Sequence, residues 1–257
     1  MQLMRAMAVV FLLLGGSEPM KAATNSTLTS KVPETPARFQ TNSIEGWTVL
    51  VNERLLDGER AATRKALELL QAQLQEIARA VPAPALAQLR EVTLWFSPAY
   101  AGQKPRAEYH PGARWLRDHG RDPAMARGVE FTDVRNFEAE TRRMPNFTLH
   151  ELAHAYHDRV LAGGFANAEI RMAYERAKAS GSYDRVERWF GNGRPNTTER
   201  AYALSSPMEY FAEATEAFFS RNDFFPFTRG ELKAHDPEMY GLVARLWAVT
   251  NAVEVIP

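Results

Sequence analysis

From Gly46 onward, apolar residues recur with two different periods. Trp47-Thr48-Val49-Leu50-Val51 is rich in β-branched and aromatic residues and predicts a strand. Leu67, Leu70, Leu74, Ile77 and Val81 follow at spacings of three and four, which predicts an amphipathic helix over 59–81, ended by Pro82-Ala83-Pro84. Residues 92–96 predict a second strand, stopped by Pro98. Residues 107–116 read as a strand around Tyr109 and His110 with a turn at Pro111-Gly112, and residues 129–134 as a further short strand. A helix is predicted over 145–160 with Asn146 as its N-cap. Beyond it the pattern is mainly helical, apart from a Gly/Asn/Pro-rich connection at 191–196. Strands first and helices later predict an α+β fold: a small mixed sheet with an N-terminal helix, then a mainly helical half.

The chain before Gly46 reads differently. Residues 1–5 carry one positive charge, residues 6–14 are an unbroken apolar run of nine, and Gly15, Gly16 and Ser17 follow. This is the pattern of a secretory signal, expected over 1–22, with cleavage after Ser17, Ala22 or Ala23. The run is too short to span a bilayer as a helix. Residues 23–45, rich in Thr, Ser, Pro and Asn without periodicity, read as a disordered leader, and 46–257 as a single domain. The expectation is a secreted or periplasmic monomer with no membrane association after signal removal.

Composition narrows the chemistry. With 45% hydrophobic and 24% charged residues the chain can bury a large core. Lys+Arg 31 against Asp+Glu 31 leaves no electrostatic footprint for nucleic acid. Cys is absent, which excludes disulfides, thiol catalysis and iron–sulfur clusters, so a metal site must be built from Asp, Glu and the six His.

Such a site is present as a motif. His150-Glu151-Leu152-Ala153-His154 is H-E-x-x-H, within a helix whose apolar positions include Leu149, Leu152, Ala153 and Tyr156. Two His at i and i+4 share one helical face and can reach one ion, with Glu151 near enough to take a proton from water. A catalytic zinc needs a third protein ligand. The metzincin extension is excluded because His157 and Val160 occupy its Gly and His positions; the aspzincin G-T-x-D and a Cys ligand are missing too. Residues 206–220 remain, with Ser206-Pro207 as cap and first position of a helix carrying Glu209, Glu213 and Glu216 on one stripe. Phe211, Ala212, Thr215, Phe218 and Phe219 mark that helix as buried, where carboxylates need partners. Glu209 as ligand, with Glu213 accepting from a ligand His, is the economical assignment; the reverse remains open. His157 reads as a supporting or surface residue, and Asp223-Phe224-Phe225-Pro226-Phe227 as a core corner.

The motif with a downstream glutamate helix resembles the gluzincin metallopeptidases. Within them, Tyr202-Ala203-Leu204-Ser205-Ser206-Pro207-Met208-Glu209-Tyr210-Phe211-Ala212-Glu213 is similar to the catalytic domain of anthrax lethal factor and related, largely uncharacterised secreted proteins. The resemblance implies a zinc peptidase acting on a peptide or protein, one Zn2+ on His150, His154 and Glu209, Glu151 as general base, and Tyr202 as oxyanion donor. It carries over no substrate, because nothing in the chain corresponds to the toxin's recognition domains. Tyr109 and His110 could line the cleft from an edge strand, where an extended peptide can pair, or be ordinary strand residues; both readings stay open. The competing expectation is an inactive zinc-binding or structural secreted protein of the same fold, against which the intact Glu151 speaks.

Overall fold

In the computed structural model, which describes residues 37–249, the chain opens on a hairpin. β1 (Phe39–Ile44) and β2 (Trp47–Asn52) pair antiparallel across Glu45-Gly46, both of positive φ, the geometry a two-residue hairpin turn favours. Next come α1 (Glu53–Gly58), α2 (Arg60–Ala80), α3 (Ala83–Arg90), β3 (Leu94–Ser97), β4 (Ala107–Tyr109), α4 (Ala113–Asp118) and β5 (Val129–Thr132). The second half holds α5 (Phe137–Arg143), α6 (Phe147–Arg159), α7 (Ala168–Ser180), the hairpin β6 (Val186–Arg188) and β7 (Thr197–Glu199), then α8 (Pro207–Phe219), α9 (Arg229–His235) and α10 (Pro237–Leu246). The main sheet has the order β1-β2-β3-β5-β4; its three central strands are parallel and each outer strand is antiparallel to its neighbour. The fold is α+β, as the element order predicts.

Strand alternation gives the sheet two different faces. Val49 and Val51, Leu94 and Phe96, Val129 and Phe131, and Tyr109 share the face buried with Leu70, Leu74 and Ile77 of α2 and Phe147, Leu149 and Leu152 of α6. The other face carries Leu50, Trp95, Glu108 and Glu130; Leu116 and Met125 pack on Trp95 there. The helical half builds outward from α6, with α8 packed across it and α7, α9 and α10 packed on α8. Trp247, just past α10, locks this layer: it stacks on Tyr156 at 4.0 Å and donates to Thr215 Oγ1 at 3.2 Å.

Four expectations are corrected. Residues 39–44 form β1, and the compact unit begins at Arg38, not at 46. Phe-Gln-Thr-Asn-Ser-Ile is an outer strand whose order comes from pairing with β2, so its own sequence carries little apolar signal. The strand at Tyr109 stops there, and residues 113–118 are α4 rather than strand. The second half is not helical on both sides of the connection at 191–196, which joins the short strands β6 and β7. Finally, β3 spans Leu94–Ser97 rather than 92–96, and β5 ends at Thr132 rather than at 134. The signal at 1–22 and the leader as far as 36 lie outside the described residues. No helix among the described residues is long and apolar enough to cross a membrane.

Candidate metal centre

The H-E-x-x-H motif lies on α6, whose start is anchored to α2. Asn146 caps it, with Oδ1 accepting from the Leu149 N–H at 3.1 Å. The Asn146 amide donates to the Gln73 carbonyl at 3.2 Å and to Glu76 Oε2 at 3.0 Å. Gln73 Oε1 takes the Thr148 N–H at 3.1 Å. Donors that a helix start leaves orphaned are thereby satisfied by the cap and by α2, which fixes where α6 begins. α8 starts as its sequence predicts, with Pro207 at its first position and Ser206 Oγ accepting from the Glu209 N–H at 3.2 Å.

The crossing of α6 and α8 brings three expected ligands together. Glu209 Oε2 lies 3.0 Å from His150 Nε2 and 3.4 Å from His154 Nε2. Two imidazole nitrogens and one carboxylate oxygen suit zinc, and ligand atoms around a tetrahedral zinc stand about 3.3 Å apart for bonds of ~2.0–2.1 Å. The observed separations fit that edge. Electrostatics agree. Burial opposes charge on Glu209, yet the two His hold its carboxyl well below the usual range. Burial likewise opposes charge on His150, but Glu216 and Glu209 raise its pKa well above the ordinary value. The cluster therefore favours a positive charge where these side chains meet.

Behind His150 lies a second set of carboxyls. His150 Nδ1 is 2.8 Å from Glu216 Oε2, and Glu213 Oε2 accepts from the Asn222 amide at 3.0 Å. Burial pushes Glu216 up to about 7, and burial with Asp223 and Glu216 nearby pushes Glu213 well above the usual carboxylate range. Arg143 supplies counter-charge here, donating to Asp223 Oδ2 at 2.6 Å. His150, Glu213 and Glu216 could also surround an ion, but Nδ1 is already engaged by Glu216 and all three residues are buried. This set backs His150 on the side of its ring away from Glu209. The expectation that Glu213 accepts from the ligand His is corrected: Glu216 does. Seven residues rotate a helix to within about 20° of the starting direction, four residues to about 40° on the other side. Glu216 thus lies almost directly below Glu209 along α8.

Glu151 lies beside the three expected ligands, with Oε2 accepting the Tyr109 backbone N–H at 2.8 Å. Burial raises its pKa against the pull of His150 and His154. Tyr202 lies in the 3-10 turn Tyr202–Ser205 that leads into Ser206. Its ring centroid is 6.5 Å from that of His150, and 38% of its surface is exposed. Burial of the hydroxyl and the nearby Glu209 charge raise its pKa.

Two further expectations change. His110 does not line the cleft: it is buried on the other sheet face, with Nε2 2.9 Å from Glu130 Oε2. His157 is not a surface residue; it is fully buried between Phe165 and Phe211, and neither ring nitrogen has a hydrogen-bond partner. The Asp223–Phe227 run is a core corner, with Asp223, Phe224 and Phe227 buried. The sequence reading missed the Glu216 support, the Tyr109 N–H and the Arg143–Asp223 pair. Only Glu216 had a signal, its place on the α8 stripe. Compared with protein-family models, curated proteins and solved structures, the chain matches none.

Proposed function

We propose that this protein is an exported zinc-dependent endopeptidase that hydrolyses peptide bonds in peptide or protein substrates. The observation that carries the reading is the convergence of His150 Nε2, His154 Nε2 and Glu209 Oε2, with the Glu151 carboxylate beside them. Zinc bound there would supply Lewis-acid polarisation of a carbonyl and a water acidified towards a pKa of ~7.

The chain's own groups supply the rest. Glu216 accepts from Nδ1 of His150 and so keeps the Nε2 lone pair directed at the ion. Glu151 accepts the proton of the attacking water and returns it to the leaving amine. The burial that raises its pKa brings it nearer to neutrality, where one group can both take and give a proton. The Tyr109 N–H holds one Glu151 oxygen, which leaves the other for water. Tyr202, beside His150 at the open side, donates to the oxyanion as the tetrahedral intermediate forms. β4 is the outer strand of the sheet, and an extended peptide adds to its free edge at Ala107 by backbone pairing. Export follows from the pattern of residues 1–22.

The test is zinc analysis beside digestion of a broad peptide library, with and without a chelator. One zinc per chain and chelator-sensitive cleavage at internal bonds are expected. A chain that takes up no zinc, or that cuts nothing when loaded, overturns the reading.

A further inference from the structure

The Tyr109 N–H that holds Glu151 belongs to a strand of three residues at the sheet edge. Its backbone pairing with β5 runs on through the His110 N–H to the Gly128 carbonyl at 3.0 Å and the Thr132 N–H to the Arg106 carbonyl at 3.0 Å, but β4 is paired on that one side only. On the sheet face away from α6, Glu108 of β4 stands directly opposite Glu130 of β5. Like charges in that position push strands apart. Arg121 lies between them, with Nη1 donating to Glu108 Oε2 at 3.0 Å and to Glu130 Oε2 at 2.7 Å. Nη2 donates to Gln103 Oε1 at 2.6 Å. The guanidinium lies over the rings of Tyr100 and Trp115, 4.6 and 5.0 Å from their centroids. His110 and Tyr100 complete the cluster, each bonded to Glu130 at 2.9 and 2.7 Å. Arg121 and Glu130 are buried, and nothing in the chemistry at the metal centre uses them.

We infer that Arg121 is a positioning residue: by bridging Glu108 and Glu130 it locks the register of β4, and so aims the Tyr109 N–H at Glu151. The cost of a lost lock follows from strand geometry. A slip of one residue turns every side chain of β4 to the other face and carries the Tyr109 N–H away from Glu151. The ligands are untouched by such a slip, because they reside on α6 and α8, and Arg121 pairs with neither. Loss of Arg121 therefore separates the aim of the general base from metal binding. The inference rests on the reading of Glu151 as that base.

Arg121→Met tests it with two readouts. Zinc content should stay at the wild-type level. Amide hydrogen exchange at Tyr109, followed by NMR, should speed up about tenfold or more, while amides in the middle of α6 keep their protection. Turnover of a short peptide should fall by up to about 10²-fold with KM little changed, as for a misaimed catalytic group. Adding Glu108→Gln to Arg121→Met removes the like-charge opposition and should restore part of the Tyr109 protection. If Arg121→Met does not fold, Arg121→Gln serves: a shorter, neutral amide brings no positive charge between the two carboxylates, so the same changes should appear at several-fold. Unchanged Tyr109 exchange and turnover in either folded variant overturns the inference. The two readings fail separately. Wild type that cuts nothing, with a Tyr109 amide that still loosens on Arg121→Met, removes the peptidase and keeps the lock. Cleavage with an indifferent Tyr109 amide removes the lock alone.

Discussion

His150 is held from both edges of its ring: Nδ1 is 2.8 Å from Glu216 Oε2, and Nε2 is 3.0 Å from Glu209 Oε2. A carboxylate on Nδ1 fixes the proton there and leaves the Nε2 lone pair for a cation, so the two glutamates have different duties.

That division makes Glu216 and Glu213 separable. Glu216→Ala leaves the Nδ1 proton unpaired and should weaken zinc binding about 10–100-fold. Glu213→Gln should change it little, because burial already favours the uncharged form of that carboxyl. Competition with a chelator of known affinity measures both; equal losses would mean that Glu213 contributes charge to the centre.

In the proposed function Glu209 binds the ion itself. Glu209→Ala should lower zinc affinity further than Glu216→Ala, since it removes a bond to the metal rather than a support for one. A Glu209→Ala chain that retains zinc as well as Glu216→Ala would take Glu209 out of the ligand set.

His157 predicts a pH dependence of stability. Burial and neighbouring His154 lower its pKa from 6.5 to about 4, a pull that the Gly164 backbone offsets only in part. Between those values the unfolded chain binds a proton that the folded chain refuses, so stability is complete above pH 6.5 and declines as pH falls towards 4. From pH 7 to 5 the loss should be about 1–2 kcal/mol. His157→Phe removes it and should be tolerated, because the ring packs on Phe165 and Phe211 and its polar neighbour is the Gly164 backbone. Denaturant melts of both proteins at pH 7 and 5 check this; equal pH slopes would show that His157 does not titrate on unfolding.

Tyr202→Phe removes a hydroxyl from a ring that is 38% exposed, so stability and zinc content should not change. Turnover should fall by about 10²–10³-fold, as when one oxyanion donor is lost, with little change in KM. Wild-type turnover would leave Tyr202 as a packing residue beside His150.

The parts of this site that were legible in the sequence are those set by one helix at a time. The i, i+4 pair His150 and His154, the caps Asn146 and Ser206, and the stripe Glu209-Glu213-Glu216 each follow from helical period and local hydrogen bonding. Which carboxylate meets His150 Nδ1 depends on how α8 crosses α6, a tertiary fact that spacing within α8 does not contain. His110 was misplaced for a related reason. It follows Tyr109 in sequence, but successive strand residues face opposite ways, and only the presence of α6 on one side and Glu130 with Arg121 on the other makes Tyr109 the cleft residue. β1 escaped because an outer strand of polar residues takes its order from β2.

In the proposed function Glu151 moves a proton at a metal centre it does not help to hold. Glu151→Gln keeps the size of the side chain and an oxygen for the Tyr109 N–H, but removes the base. Zinc per chain and peptide turnover are measured on the same preparation of wild type and variant. One zinc per chain in both proteins and a loss of nearly all turnover in Glu151→Gln are expected. Turnover that persists, or that disappears only in proportion to lost zinc, would contradict that role.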